Sequence, residues 1–144
     1  MLILGGASAV SSFRLKKLSH DAASWGHQLG GLRAFFFYLA DTSSELSSND
    51  KARLQNLVDG TQECTEDVVA PAGALLVVPR WGTRSPWSTK ASEIAKRCSL
   101  SGLRRLERGV AWHFAGMSHD AKARQYLAQL VRDPISESIA QDPA

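Results

Sequence analysis

The chain has 144 residues, 44% of them hydrophobic, with 17 Lys and Arg against 14 Asp and Glu for a net charge of +3. That size and apolar content describe one compact domain able to bury roughly 70% of the surface its unfolded form exposes, and they exclude a disordered chain. The cations are spread along the sequence with one concentration between Arg80 and Arg108, so the charge fits an anionic ligand or partner and gives no support to nucleic acid or membrane.

No run approaches the ~18 apolar residues of a membrane helix. The opening MLILGGASAV is too short and too broken by Gly and Ser for a secretory signal, and no cation precedes it. Cys64 and Cys98 lie in neither a CxxC nor a Cys/His ligand spacing, so no metal site is expected. Both thiols read as small buried apolar residues of a reducing, cytoplasmic compartment.

Residues 2–4 read as a short buried strand stopped by Gly5 and Gly6. A helix follows, started by Ser8, Ser11 or Ser12, with Leu15, Leu18, Ala22, Trp25 and Leu29 on one stripe and Gly30-Gly31 at its end. The aromatic run 32–40 is the strongest strand signal. Ser47 to Asp50 opens a short helix with Leu54, Leu57 and Val58 on its apolar face and Gly60 as its stop. The polar stretch 61–73 reads as loop and 75–78 as a buried strand. Ala91, Ile94, Ala95 and Cys98 recur at helical spacing, ending near Ser101-Gly102. Residues 103–114 form a strand by the alternation of Val110, Trp112 and Phe114 against Ala111 and His113. Ser118 opens a last helix carrying Leu127, Leu130 and Val131, stopped at Asp133-Pro134, and 135–139 reads as a final short strand. Strands and helices alternate throughout, which predicts a sheet with helices packed on it.

Little chemistry is written in these elements. There is no GxxxxGK[ST] and no GxGxxG. Neither cysteine and none of the four histidines sits in a nucleophile signature. The exception is PRWGTRSPWSTKASEIAKRC, residues 79–98. Val78 ends a strand, Gly82 permits a turn, and Ser85-Pro86 opens a helix whose unpaired N–H groups and dipole attract anions. Thr83, Ser85, Ser88 and Thr89 add hydroxyls; Arg80, Arg84 and Lys90 add charge. Ordinary helix capping accounts for the same residues. Trp81 and Trp87 suit an interface better than base stacking, and Glu107, flanked by Arg104, Arg105 and Arg108, suits a surface ion-pair cluster.

That stretch, followed by RRLERGVAWHF, resembles the N-terminal domain of the large single-chain phosphoribosylformylglycinamidine synthase, the formylglycinamide ribonucleotide amidotransferase. The family pattern is approximately PRxGTxSPWSSKATDIAxxC and then a strand ending in LERG. Arg80, Gly82, Thr83, Ser85, Pro86, Trp87, Ser88, Lys90, Ala91, Ile94, Ala95 and Cys98 match it; Thr89, Ser92 and Glu93 are conservative departures. LGGASAVSSFRLKKL is similar to the family's LRGxxALSxFRxxKL opening, with Gly5 where Arg is common and Phe13, Arg14, Lys17 and Leu18 matching. Near the end, Asp133 and Glu137 are kept, and Pro134 stands where Arg is usual.

The resemblance implies an α/β (α+β) domain of two fused split-βαβ-like units, resembling a dimer of the small accessory subunit of multi-subunit forms, with a mixed or antiparallel sheet. Residues 1–144 would be a single N-terminal domain with approximate halves 1–72 and 73–144. The synthetase domain, with ATP and Mg²⁺, and the Cys-His-Glu glutaminase would lie outside this chain and be its partners. No catalytic residue, metal or cofactor is expected within it. The implied role is to dock on the synthetase domain and help couple the active sites. Arg80, Thr83, Ser85, Pro86, Trp87, Ser88, Lys90, Arg105 and Glu107 are the candidates for contact with a phosphorylated substrate or a domain interface. A stand-alone anion-binding module and a pure assembly domain remain the alternatives.

Overall fold

The computed structural model describes residues 2–27, 29–58, 62–63, 74–80, 84–100, 102–115, 121–131 and 137–140. The elements in chain order are β1 (Leu2–Ser8), α1 (Ser12–Ser24), β2 (Arg33–Thr42), α2 (Ser48–Leu57), β3 (Gln62–Glu63), β4 (Leu75–Pro79), α3 (Pro86–Arg97), β5 (Leu103–His113), α4 (Ala121–Val131) and β6 (Glu137–Ala140). The strands make one six-stranded sheet in the order β3-β1-β2-β5-β4-β6, and every pair is antiparallel. This is an α+β fold. The connectivity β-α-β-α-β occurs twice, and the two runs meet at the long central pair β2·β5.

The helices lie on one face of the sheet because the strands are apolar there at every second position. On β2 that face carries Ala34, Phe36, Tyr38 and Ala40. At one end Ala34, Leu75, Trp112 and Phe114 pack with Ala22 of α1 and Ala123 and Leu127 of α4. At the other end Leu4, Tyr38, Ala40 and Leu106 pack with Leu54 of α2 and Ala95 of α3. The reverse face has its own cluster of Phe37, Leu76, Val78 and Ala111. Arg33 and His113 are paired across β2 and β5, with the guanidinium 3.2 Å from Nδ1. Burial and then the Arg33 charge hold the His113 pKa below its usual 6.5, which favours the neutral ring.

Several boundaries differ from the sequence reading. β1 runs through Gly5 and Gly6 to Ser8, with a register shift after Gly5. A Cβ at Gly6 would lie 2.8 Å from the Tyr38 ring and 3.0 Å from the Phe36 carbonyl, so glycine serves close strand approach there, not a stop. Ser11 is the N-cap of α1, and the helix ends at Ser24, with Gly26 at φ +82 just beyond its C-cap Trp25. Trp25 therefore leaves the apolar stripe. β3 pairs with β1 inside the stretch read as loop. Cys98, expected in the core, is the exposed C-cap of α3. Gly60, Cys64, Ser118 and Pro134 lie outside the described residues.

Gly109 of β5 faces Phe37 across the central pair, and the ring packs directly against it. A Cβ there would meet Phe37 Cε1 at 2.7 Å and the Val77 carbonyl at 3.0 Å. The ring is fully buried and one of the blocking atoms is backbone, so neither can give way freely. Gly109→Ala is therefore expected to destabilise the chain by about 1–3 kcal/mol through overpacking, read as a lower urea midpoint at an unchanged slope. An unchanged midpoint contradicts this packing.

Candidate functional site

β5 is longer than β4, and this mismatch builds the site. Pairing of β4 with β5 is registered from Leu75↔Trp112 to Val77↔Val110, and β4 ends at Pro79, short of Leu106. The Leu106 N–H and carbonyl thus face the edge with no strand opposite, where unmet polar groups are costly. Two buried serines one turn apart on α3 take the strand's place. The Ser88 hydroxyl donates to the Leu106 carbonyl at 2.6 Å, and the Leu106 N–H donates to Ser92 Oγ at 3.3 Å.

The start of α3 is tied down in the same way. Ser85 is the N-cap and its Oγ accepts from the Ser88 N–H at 3.0 Å; Pro86 occupies the first turn, where its missing N–H costs nothing. The Ser85 hydroxyl donates to Glu107 Oε1 at 2.7 Å. Glu107, nearly buried, also accepts from the Arg108 N–H at 3.1 Å and pairs through Oε2 with Arg105 at 3.1 Å. The anion at this helix N-terminus is therefore the protein's own carboxylate.

The candidate residues divide accordingly. Ser85, Ser88, Arg105 and Glu107 come together in one hydrogen-bonded knot. Pro86 is exposed at the helix start, and Lys90 is exposed on the solvent side of α3. Trp87 is half-buried, packed at 5.7 Å from the Tyr38 ring. Arg80 is exposed just after β4. Thr83, like Trp81 and Gly82, lies outside the described residues.

Beside the knot a cavity of about 500 Å³ opens over the sheet at the start of α3, lined among others by Arg80, Arg84, Trp87, Arg108, Phe36 and Glu137. Its central cation is Arg108, absent from the sequence-derived candidates. The guanidinium lies 4.6 Å from the Phe36 ring centre and 4.9 Å from that of Trp87. Strand alternation carried the signal: Leu106, Arg108, Val110 and Trp112 share one face, so Arg108 is a cation at an inward position. Among the described residues no three His, Cys, Asp or Glu side chains are grouped to hold a metal ion, and no helix is long and apolar enough to cross a membrane.

The profile of the formylglycinamide ribonucleotide amidotransferase N-terminal family matches residues 35–144. The chain belongs to that family. The match takes in the knot and the cavity, while β1 and α1, which carry the opening resemblance, precede it. The family supplies the N-terminal domain of an amidotransferase of purine biosynthesis, and other domains of the same enzyme are its partners.

The geometry assigns the family's serines a structural task that can be measured. Ser88→Ala removes the partner of a buried carbonyl and is expected to cost about 1–3 kcal/mol. Lys90→Ala, on the exposed side of the same helix, is expected to stay within about 0.5 kcal/mol of the parent. Denaturant unfolding of the two variants checks this, and equal midpoints would refute the edge-capping role.

Proposed function

We propose that this chain serves as the N-terminal domain of the ligase that converts formylglycinamide ribonucleotide, ATP and glutamine to formylglycinamidine ribonucleotide, ADP, phosphate and glutamate. In this reading it holds no catalytic residue. It docks on the synthetase domain, and through that contact helps couple the synthetase to the glutaminase. ATP and Mg²⁺ belong to the synthetase domain. The family match over residues 35–144 carries the proposal. The repeated connectivity supports an origin as two fused copies of a small unit, in halves close to 1–72 and 73–144.

Beside the exposed motif residues Arg80, Pro86 and Lys90, large apolar side chains elsewhere are also open to a partner. Trp87 is half-buried, whereas Phe13 and Trp25, at the two ends of α1, are 77% and 75% exposed. Leu130 of α4, the helix beside α1, is 42% exposed. Large exposed aromatic groups of this kind are the usual anchors of an interface. Arg14, Lys16 and Lys17, exposed near Phe13 on the same helix, add positive charge to α1. An assembly role is thereby favoured over direct participation of the motif in chemistry.

The double variant Phe13→Ser, Trp25→Ser is expected to weaken binding of the chain to the remaining domains by at least tenfold, about 1.4 kcal/mol, and to leave its unfolding midpoint unchanged. Interferometry with immobilised synthetase-glutaminase protein reads the first and thermal unfolding the second. Parent-like affinity of the double variant would remove α1 from the interface.

A further inference from the structure

We infer that the groove between α2 and α3 is a docking site for an acidic amphipathic helix of a partner protein. The groove is lined by Leu57 and Val58 of α2 and by Trp87, Ala91 and Ile94 of α3, with the exposed Lys90 among them. Trp87, Ala91 and Ile94 follow one another at steps of four and three, so they make one apolar stripe along α3. Leu54, Val58 and Ala95 share a buried cluster beneath, which fixes the two helices and leaves the groove preformed. Leu57 and Ile94 stand on its flanks, 37% and 40% exposed. Its volume of about 180 Å³ is below the roughly 300 Å³ at which small-molecule sites begin. An apolar groove of this kind between two helices instead receives anchor side chains from the apolar face of a third.

The charge of that third helix follows from the two that hold it. α2 and α3 carry five Lys and Arg against Asp50 and Glu93, an excess of three positive charges. The cations flank the apolar floor. Lys90 lines the groove, and Arg97, seven residues on, returns to the same side of α3. Arg53, one turn before Leu57, donates to the Cys98 carbonyl at 3.3 Å, so its guanidinium reaches across to the end of α3. Carboxylates bordering the apolar face of the incoming helix meet these groups; a basic helix would be repelled. This surface belongs to the opposite end of the helix layer from α1 and α4. The inference therefore goes beyond docking through α1 and does not rest on it.

The test titrates the ¹⁵N-labelled chain with a synthetic peptide of three Leu-Glu-Glu-Leu-Leu-Ala-Glu heptads. Saturable shifts are expected at the Leu57, Lys90 and Ile94 amides and at Trp87 Nε1–H. The same peptide with Lys for Glu, and a scrambled peptide of the same composition, are expected to bind at least tenfold more weakly. Ile94→Asp is expected to weaken binding of the acidic peptide at least tenfold and Lys90→Glu at least threefold. Lys122→Glu, on α4, and the double variant Phe13→Ser, Trp25→Ser are expected to bind it as the parent does. Shifts that never saturate, equal binding of either control peptide, or undiminished affinity in an Ile94→Asp chain whose spectrum remains dispersed would overturn the assignment.

Discussion

The unequal lengths of two neighbouring strands govern this structure. β5 spans 11 residues and β4 only 5, so part of β5 lacks a strand on one side. An edge so close to the core has to be covered, and α3 covers it with Ser88 and Ser92 instead of with apolar contact alone. The helix is thereby fixed in both position and rotation. Ser85 then falls beside Glu107, and the carboxylate closes the helix start while it holds Arg105. A run that reads as a string of hydroxyls and charges is mostly a fastening.

Fastening α3 at that edge has a further consequence. The α2 and α3 helices gather over one end of the sheet and α1 and α4 over the other, each pair on its own cluster. Beside the start of α3 a part of the sheet stays open, with Phe36, Arg108 and Val110 lining the space over it. Trp87, placed one turn into α3 by the Ser85 cap, forms a wall over Arg108. The serines of the motif hold the helix, and Arg84 and Trp87 beside them face the space that holding creates.

Much of the fold was legible in the sequence. The FFF run of β2, the Ser47 cap and the Ser85-Pro86 start depend on local rules, and each element lies where those rules place it. The misreadings share a cause. Gly5 and Gly6 read as a stop, but Gly6 admits neighbouring groups that only the paired strands reveal, the Tyr38 ring and the Phe36 carbonyl. Trp25 and Cys98 were placed on helical stripes that end one residue earlier, and both are exposed caps. At the site, the motif identified the right segment. The partners of Ser88 and Ser92 are backbone atoms of a strand more than ten residues away, which no local pattern announces. Arg108 was visible only as a charge in an alternating strand, and its two rings come from β2 and α3.

The most direct measurement of the central claim is reconstitution. The synthetase and glutaminase domains would be assayed for amidine formation from glutamine and from ammonia, with and without this chain added in trans. The account predicts that the folded chain, at saturating concentration, restores glutamine-dependent formation. Rates unchanged by the chain would contradict a docking and coupling role for this domain.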